Sequence, residues 1–324
     1  MAGQLKFKLF PVECLVLLAM ATGCSDGSGG PGAPAEGGDV TPAAPFQELY
    51  DQGVDRYLGL FSPMKSEALE GGETRHSFGG DDGPLCFTGN EFFMSTRDGV
   101  SSDLLIFVQG GGACGPTSCD AIQVGIPFFN AGLLNRDDPA NPAADYNVGY
   151  IPYCDGTFHT GDRNVDSDGD GINDRFFRGL QNLSASLDVI VSAYPAPSRI
   201  LLAGNSAGGW GTHFALPLVR KLYPEVPIEL VNDSGIGISQ PGVQETLTEY
   251  WNSGAFYPAS CPDCIGEDGN ITEYHKYQLA EDSNLRMGFI SSTQDEVVVD
   301  ILMIDGEIFE AELRQAMTDI EEAY

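Results

Sequence analysis

The chain has 324 residues, 42% of them apolar and 10% aromatic, enough for a sizeable folded core. Its 16 basic against 47 acidic residues give a net charge of −31. That balance excludes a nucleic-acid partner, which is held by neutralising phosphates with Lys and Arg, and it excludes an anionic membrane surface for the same reason.

The first residues read as an export signal. Lys6 and Lys8 form a short basic stretch, and Leu15 to Ala21 an apolar one too short to cross a bilayer as a helix. The run ends in Ala21-Thr22-Gly23-Cys24, which resembles the lipobox of bacterial lipoproteins, with Ala where Leu is commoner. The expectation is a signal peptide over residues 1–23, a lipid on Cys24, and a lipid-anchored, extracytoplasmic place in a bacterial cell envelope. The N-terminal lipid would be the membrane contact. Residues 24–45 are Gly, Pro, Ala and Ser with few large apolar side chains. Such a segment cannot bury enough surface to offset its chain entropy, so a flexible tether is expected. Residues 46–324 are expected to form one domain, acting as a monomer.

Leu104 to Val108 (LLIFV) is a continuous apolar run that stops at Gly110-Gly111-Gly112. It predicts a strand buried on both faces, running into a tight loop. Val148 to Pro152 is a weaker strand candidate. Then comes Asp166-Ser167-Asp168-Gly169-Asp170-Gly171-Ile172-Asn173-Asp174, a D-x-D-x-D-G-x-x-D pattern. Alternate carboxylates place hard oxygen ligands around one point, and Gly171 permits the sharp turn. The expected occupant is a structural Ca2+, held by Asp166, Asp168, Asp170 and Asp174 and by the backbone carbonyl of Ile172. The spacing resembles the loops of thrombospondin type 3 and dockerin repeats.

Leu180, Leu183, Leu187, Ile190 and Val191 recur at helical spacing. Arg199 to Ala203 (RILLA) predicts a strand, Ala207 to Leu222 a helix, and Pro227 to Val231 (PIELV) a strand. Gly288 to Ser291 is one more strand. Glu307 to Tyr324 reads as a helix with Phe309, Leu313, Met317 and Ile320 on one face. Strands alternating with helices predict a mostly parallel sheet with helices on both faces.

With Cys14 in the signal and Cys24 lipidated, six cysteines remain, and an even number in an exported chain favours disulfides. Cys114–Cys119 and Cys261–Cys264 are favoured as local pairs, leaving Cys86–Cys154. A redox or half-zinc role for Cys261-Pro262-Asp263-Cys264 is the alternative.

Gly204-Asn205-Ser206-Ala207-Gly208 fits G-x-S-x-G between a predicted strand and a predicted helix. This arrangement lifts a serine hydroxyl clear of the sheet on a sharp turn and aims the next N–H at a developing oxyanion. Ser206 is the candidate nucleophile. Gly111 and Gly112, ahead of it in the chain, are the candidate partners of the Ala207 N–H in the oxyanion hole.

Three blocks together resemble the pectin acetylesterase family, which includes the carboxylesterase Notum. They are Gln109-Gly110-Gly111-Gly112-Ala113-Cys114, then Ile151-Pro152-Tyr153-Cys154-Asp155-Gly156 with Thr160-Gly161-Asp162, then Gly204 to Gly209. The resemblance implies an α/β-hydrolase fold, a Ser–Asp–His triad, an acylated carbohydrate as substrate and no catalytic cofactor. It places the acid at Asp295 in Phe289-Ile290-Ser291-Ser292-Thr293-Gln294-Asp295; Asp233, at the end of an earlier predicted strand, is the second choice and is expected to be structural.

In such hydrolases the histidine follows the acid, and no histidine follows Asp295 here. His213 is expected to pack on the helix after the elbow. His275 lies in a polar stretch, and His159 in a loop near the site. The expectation is therefore a fragment that lacks the last strand and the histidine loop. The competing reading is a carbohydrate-binding pseudo-hydrolase without a base.

Overall fold

A computed structural model describes residues 44–80 and 82–323; the expected signal peptide, Cys24 and positions 24–43 of the expected tether lie outside them. In chain order come helix α1 (Gln47–Asp51) and strands β1 (Lys65–Ala68), β2 (Glu73–Phe78), β3 (Phe92–Arg97), β4 (Leu104–Val108), β5 (Gly112–Cys114) and β6 (Cys119–Ala121). Next are β7 (Asn147–Ile151), β8 (Arg163–Val165), β9 (Arg175–Phe177), α2 (Gly179–Ala193), β10 (Ile200–Asn205) and α3 (Ala207–Leu222). The rest comprises β11 (Ile228–Asp233), α4 (Val243–Trp251), α5 (Thr272–Glu281), β12 (Leu285–Ile290), α6 (Glu296–Leu302) and α7 (Gly306–Ala323).

Eight strands form the central sheet in the order β1-β2-β3-β7-β4-β10-β11-β12. From β7 to β12 all pairings are parallel, while β1, β2 and β3 form an antiparallel edge. This is an α/β-hydrolase-type fold. The apolar runs are continuous because both faces are covered. Leu104, Ile106 and Val108 point into the main core with Leu180, Leu183 and Phe214 of α2 and α3. Leu105, Val148, Tyr150 and Ala203 point the other way, onto Leu134 and Ala143 of the segment 122–146. Buried Arg97 fastens that segment: Nη2 donates to Leu134 O at 2.9 Å, and the guanidinium lies 4.6 Å from the Phe128 ring.

The far end of α3 is fixed by Arg220, whose Nε donates to Asp282 at 2.7 Å with both side chains buried. Its Nη1 donates to the carbonyls of Tyr223, Pro224 and Val226 in the turn that follows the helix. The cysteines pair as Cys86–Cys154, Cys114–Cys119 and Cys261–Cys264.

Candidate active site

Between the last residue of β10 and the first of α3, Ser206 holds φ 52° and ψ −125°. A side chain disfavours this backbone region, so the surroundings must impose it. The Ser206 N–H donates to Asp233 O at 2.7 Å, and its carbonyl accepts from Trp210 N–H at 3.2 Å. The flanking glycines are demanded by contact. A Cβ on Gly204 would lie 2.3 Å from Gly208 O, and one on Gly208 would lie 2.1 Å from Val108 O. Ser206 is left half-buried next to exposed Asn205. Its Oγ has no hydrogen-bond partner among the described residues. The Ala207 N–H opens α3 with no acceptor within the helix, at the positive end of its dipole.

Asn232, at the end of β11, ties the elbow down from below. Its Nδ2 faces Gly209 O (3.0 Å), Gly235 O (2.8 Å) and His213 Nε2 (2.8 Å), while its Oδ1 accepts from Gly235 N–H. His213 in turn donates Nδ1–H to Gln278 Oε1 at 3.1 Å, so it is a neutral ring that accepts at Nε2. Burial, and then neighbouring His275, push its pKa well below the ordinary value. His275 donates Nε2–H to Ile236 O at 2.7 Å, and burial pushes its pKa down to about 4. The sequence placed His275 in a polar stretch; α5 buries it completely. His76 bridges Ser66 and Thr96 on the edge strands, and His159 contacts Gln109 O. None of the four histidines hydrogen-bonds Ser206.

Ser206 shares a cavity of about 30 Å³ with Gly112, Ala113 and Ala207. Phe158 and Trp210, stacked at 5.0 Å between ring centroids, form one wall. Val298, Ile301 and Leu302 of α6 form another. Gly111 is not among the lining residues; its α-carbon faces Ile122 and Tyr153 instead. Ala113 is the residue that sequence reasoning missed, and its place directly after the glycine run was the available signal. At Gly112 a φ of 80° calls for glycine, and a Cβ there would sit 1.8 Å from Asp120 O.

Asp295 lies in the loop after β12 and caps α6, its Oδ1 accepting the Val298 N–H at 3.0 Å. It therefore holds the helix that walls the serine cavity, without a hydrogen bond to Ser206 or to a histidine. Asp233 turns its side chain to solvent and serves the elbow through its backbone carbonyl.

The acidic loop joins the antiparallel pair β8 and β9. Carboxylate oxygens of Asp166, Asp168 and Asp170 lie within 4.8 Å of one another, a cluster able to hold a metal ion. Asp166 accepts N–H bonds from Gly171 and Gly169, which hold its pKa below the ordinary value. Asp174 is not in this cluster; its two oxygens accept from Ser167 N–H and Oγ at 2.9 and 2.5 Å. The Ile172 side chain is exposed. A larger cavity of about 610 Å³ lies by Leu85, Glu91, Asn164, Asn173, Phe176 and Arg178, and Ser206 is not among its lining residues.

A family model for pectinacetylesterases matches residues 91–256. The chain belongs to the pectinacetylesterase family. The matched span runs from β3 past α4 and contains the Gly-rich loop, the acidic loop and the Ser206 elbow, but not Asp295. No curated protein matches the chain. Membership places it among carbohydrate esterases, which are carboxylic-ester hydrolases whose chemistry needs no catalytic cofactor.

Proposed function

We propose that this pectinacetylesterase-family chain is a serine carboxylesterase that removes acetyl or other short acyl groups from a carbohydrate such as pectin, with Ser206 as nucleophile. The observation that carries the reading is the Ser206 backbone, held in a disfavoured conformation that frees its hydroxyl beside the Ala207 N–H. Oγ attacks the acyl carbon, the ester C–O bond breaks, and the sugar alcohol leaves with a proton. Water then splits the acyl-serine and releases the carboxylate. The Ala207 and Gly112 N–H groups, with Gly111 or Ala113, stabilise the oxyanion. Asp295 is the acid by its place after β12, although here its carboxylate caps α6.

The small cavity supports a short acyl group, since a single water needs about 10–15 Å³ of such space. A net charge of −31 favours a neutral acetylated polysaccharide over anionic pectin unless salt or calcium screens the repulsion. Asp166, Asp168 and Asp170, with the Ile172 carbonyl, would hold a structural Ca2+ whose charge relieves their mutual repulsion. Among the described residues no helix is long and apolar enough to cross a membrane. We assign the membrane contact to a lipid on Cys24, with the domain monomeric in the bacterial cell envelope.

The histidines favour a second reading. Each has its hydrogen bonding directed away from Ser206, as expected of a carbohydrate-binding pseudo-hydrolase. Aryl acetate hydrolysis by the wild type and Ser206→Ala, with and without added imidazole, separates the two. If the chain is the esterase, the wild type shows a rate above that of Ser206→Ala, and imidazole enlarges the difference. Equal rates at every imidazole concentration, with acetylated oligosaccharide still bound, would establish the binding module instead.

A further inference from the structure

Behind the Gly-rich loop lies a buried polar floor that hydrolysis by Ser206 leaves unused. Tyr153 and His159 are both fully buried. The Tyr153 backbone N–H donates to Gln109 Oε1 at 3.0 Å. Its hydroxyl donates to Gly112 O at 2.8 Å and accepts from Phe158 N–H at 3.1 Å. A Cβ on Gly111 would lie 2.7 Å from Tyr153 Cδ1, so the ring also touches the middle of the loop. One residue thereby spans the loop from Gln109 to Gly112.

The His159 ring lies 4.9 Å from that of Tyr153, and its Nε2 is 2.9 Å from Gln109 O. A carbonyl only accepts, so Nε2 carries the proton; Nδ1 has no partner among the described residues. The neighbouring ring carbon faces α3, where a Cβ on Gly211 would lie 2.7 Å from His159 Cδ2. Burial pushes the His159 pKa down against the pull of Asp155, and burial pushes the Tyr153 phenol up. Both groups therefore keep these donating forms at neutral pH.

We infer that Tyr153 and His159 are positioning residues of the oxyanion hole, clamping the Gly110–Gly112 loop against α3 so that the loop and Ala207 N–H groups converge. Peptide units are planar, so fixing the Gln109 and Gly112 carbonyls orients the Gln109–Gly110 and Gly112–Ala113 peptide planes, which bracket the two planes that meet at Gly111. Three consecutive glycines would otherwise explore many conformations. An oxyanion donor works only when preorganised at hydrogen-bond distance from the oxygen it will meet. The kinetic consequence rests on Ser206 as nucleophile; the structural one does not.

The test uses the full chain with Tyr153→Phe, His159→Phe and His159→Gln. The last returns an N–H donor near the position of Nε2. In Ser206-dependent aryl acetate hydrolysis with imidazole, the two Phe variants should lose about 10-fold in kcat at unchanged KM, a fraction of what deleting a donor costs. His159→Gln should stay close to wild type. Hydrogen exchange over residues 109–114 should quicken in the Phe variants and not over β10–β12. Wild-type kcat in both Phe variants, or a Gln variant as impaired as His159→Phe, overturns the inference. If the wild type shows no Ser206-dependent turnover, the nucleophile assignment fails and exchange alone decides: selective quickening supports the clamp, unchanged exchange refutes it. Should His159→Phe not fold, Tyr153→Phe carries the test, because it deletes one hydroxyl.

Discussion

The strained turn makes a prediction that separates backbone from chemistry. Replacing Ser206 by Ala removes the hydroxyl but keeps a Cβ at φ 52°, ψ −125°. Because Oγ has no partner among the described residues, Ser206→Ala should change stability by less than about 0.5 kcal/mol. Ser206→Gly also removes the Cβ, and a side chain held in so sparse a region costs roughly 1–3 kcal/mol. Against that, glycine gives the unfolded chain about 0.5–1 kcal/mol more entropy to lose. The strain term wins, and Ser206→Gly should be more stable than Ser206→Ala by about 0.5–2 kcal/mol. Urea unfolding with matched slopes reads the difference directly. Thermal melting should show a rise of a few degrees, at about 2–4 °C per kcal/mol for a domain of this order. Both variants lose Ser206 chemistry, so activity cannot confuse the comparison. If Ser206→Gly proves equal to or less stable than Ser206→Ala, the turn is unstrained and its resemblance to a nucleophile elbow is only one of sequence.

Gly211→Ala would set a Cβ 2.7 Å from His159 Cδ2 and 3.0 Å from Val108 Cγ1, so overpacking should cost about 1–3 kcal/mol in urea unfolding. A loss below about 0.5 kcal/mol would contradict the close contact between α3 and the loop floor. Burial lowers the folded-state pKa of His213 and brings that of His275 to about 4. Above about pH 6.5 both rings are neutral in either state and this stability is fully present; below it the unfolded chain binds protons first. Each histidine then removes about 1.4 kcal/mol per pH unit until its folded pKa is reached. His275→Gln should flatten that acid-side slope, and an unchanged slope would show that His275 is not buried neutral. Chelation should lower the melting temperature before it lowers any rate, since an ion at about 100 times its Kd adds roughly 2.7 kcal/mol. Melting that ignores both chelator and added calcium would remove the ion from the acidic loop.

The parallel half of the sheet was legible because burial on both faces writes itself as unbroken apolar runs. LLIFV, RILLA and PIELV each became a strand, and the helices at Gly179–Ala193 and Ala207–Leu222 follow from apolar residues at helical spacing. The antiparallel edge was not legible. All four residues of β1 are exposed, and β2 (ETRHSF) alternates too weakly to separate its faces. Helix α6 was missed for a related reason, since none of its seven residues is buried. Asp295 ahead of Glu296-Val297-Val298 carries an N-cap signal that would have marked its start.

The site divides along the same line. A turn that must hold φ 52° while a Cβ on Gly204 or Gly208 would meet a carbonyl oxygen at 2.3 or 2.1 Å can be built only with glycines at fixed spacing, so local chain chemistry exposes Ser206. What surrounds it comes from distant positions. Tyr153 reaches Gly112 across 41 residues, His159 reaches Gln109 across 50, and His213 meets Gln278 across 65. Such contacts leave no periodicity, and a histidine in a polar stretch looks solvated until a neighbouring helix closes over it. His275 is the instance: Glu273 and Lys276 beside it face water, while its ring is sealed against His213 and Phe289. Local spacing therefore marked the exposed turn that carries Ser206, whereas the groups that orient the atoms around it became visible only once the sheet had brought them together.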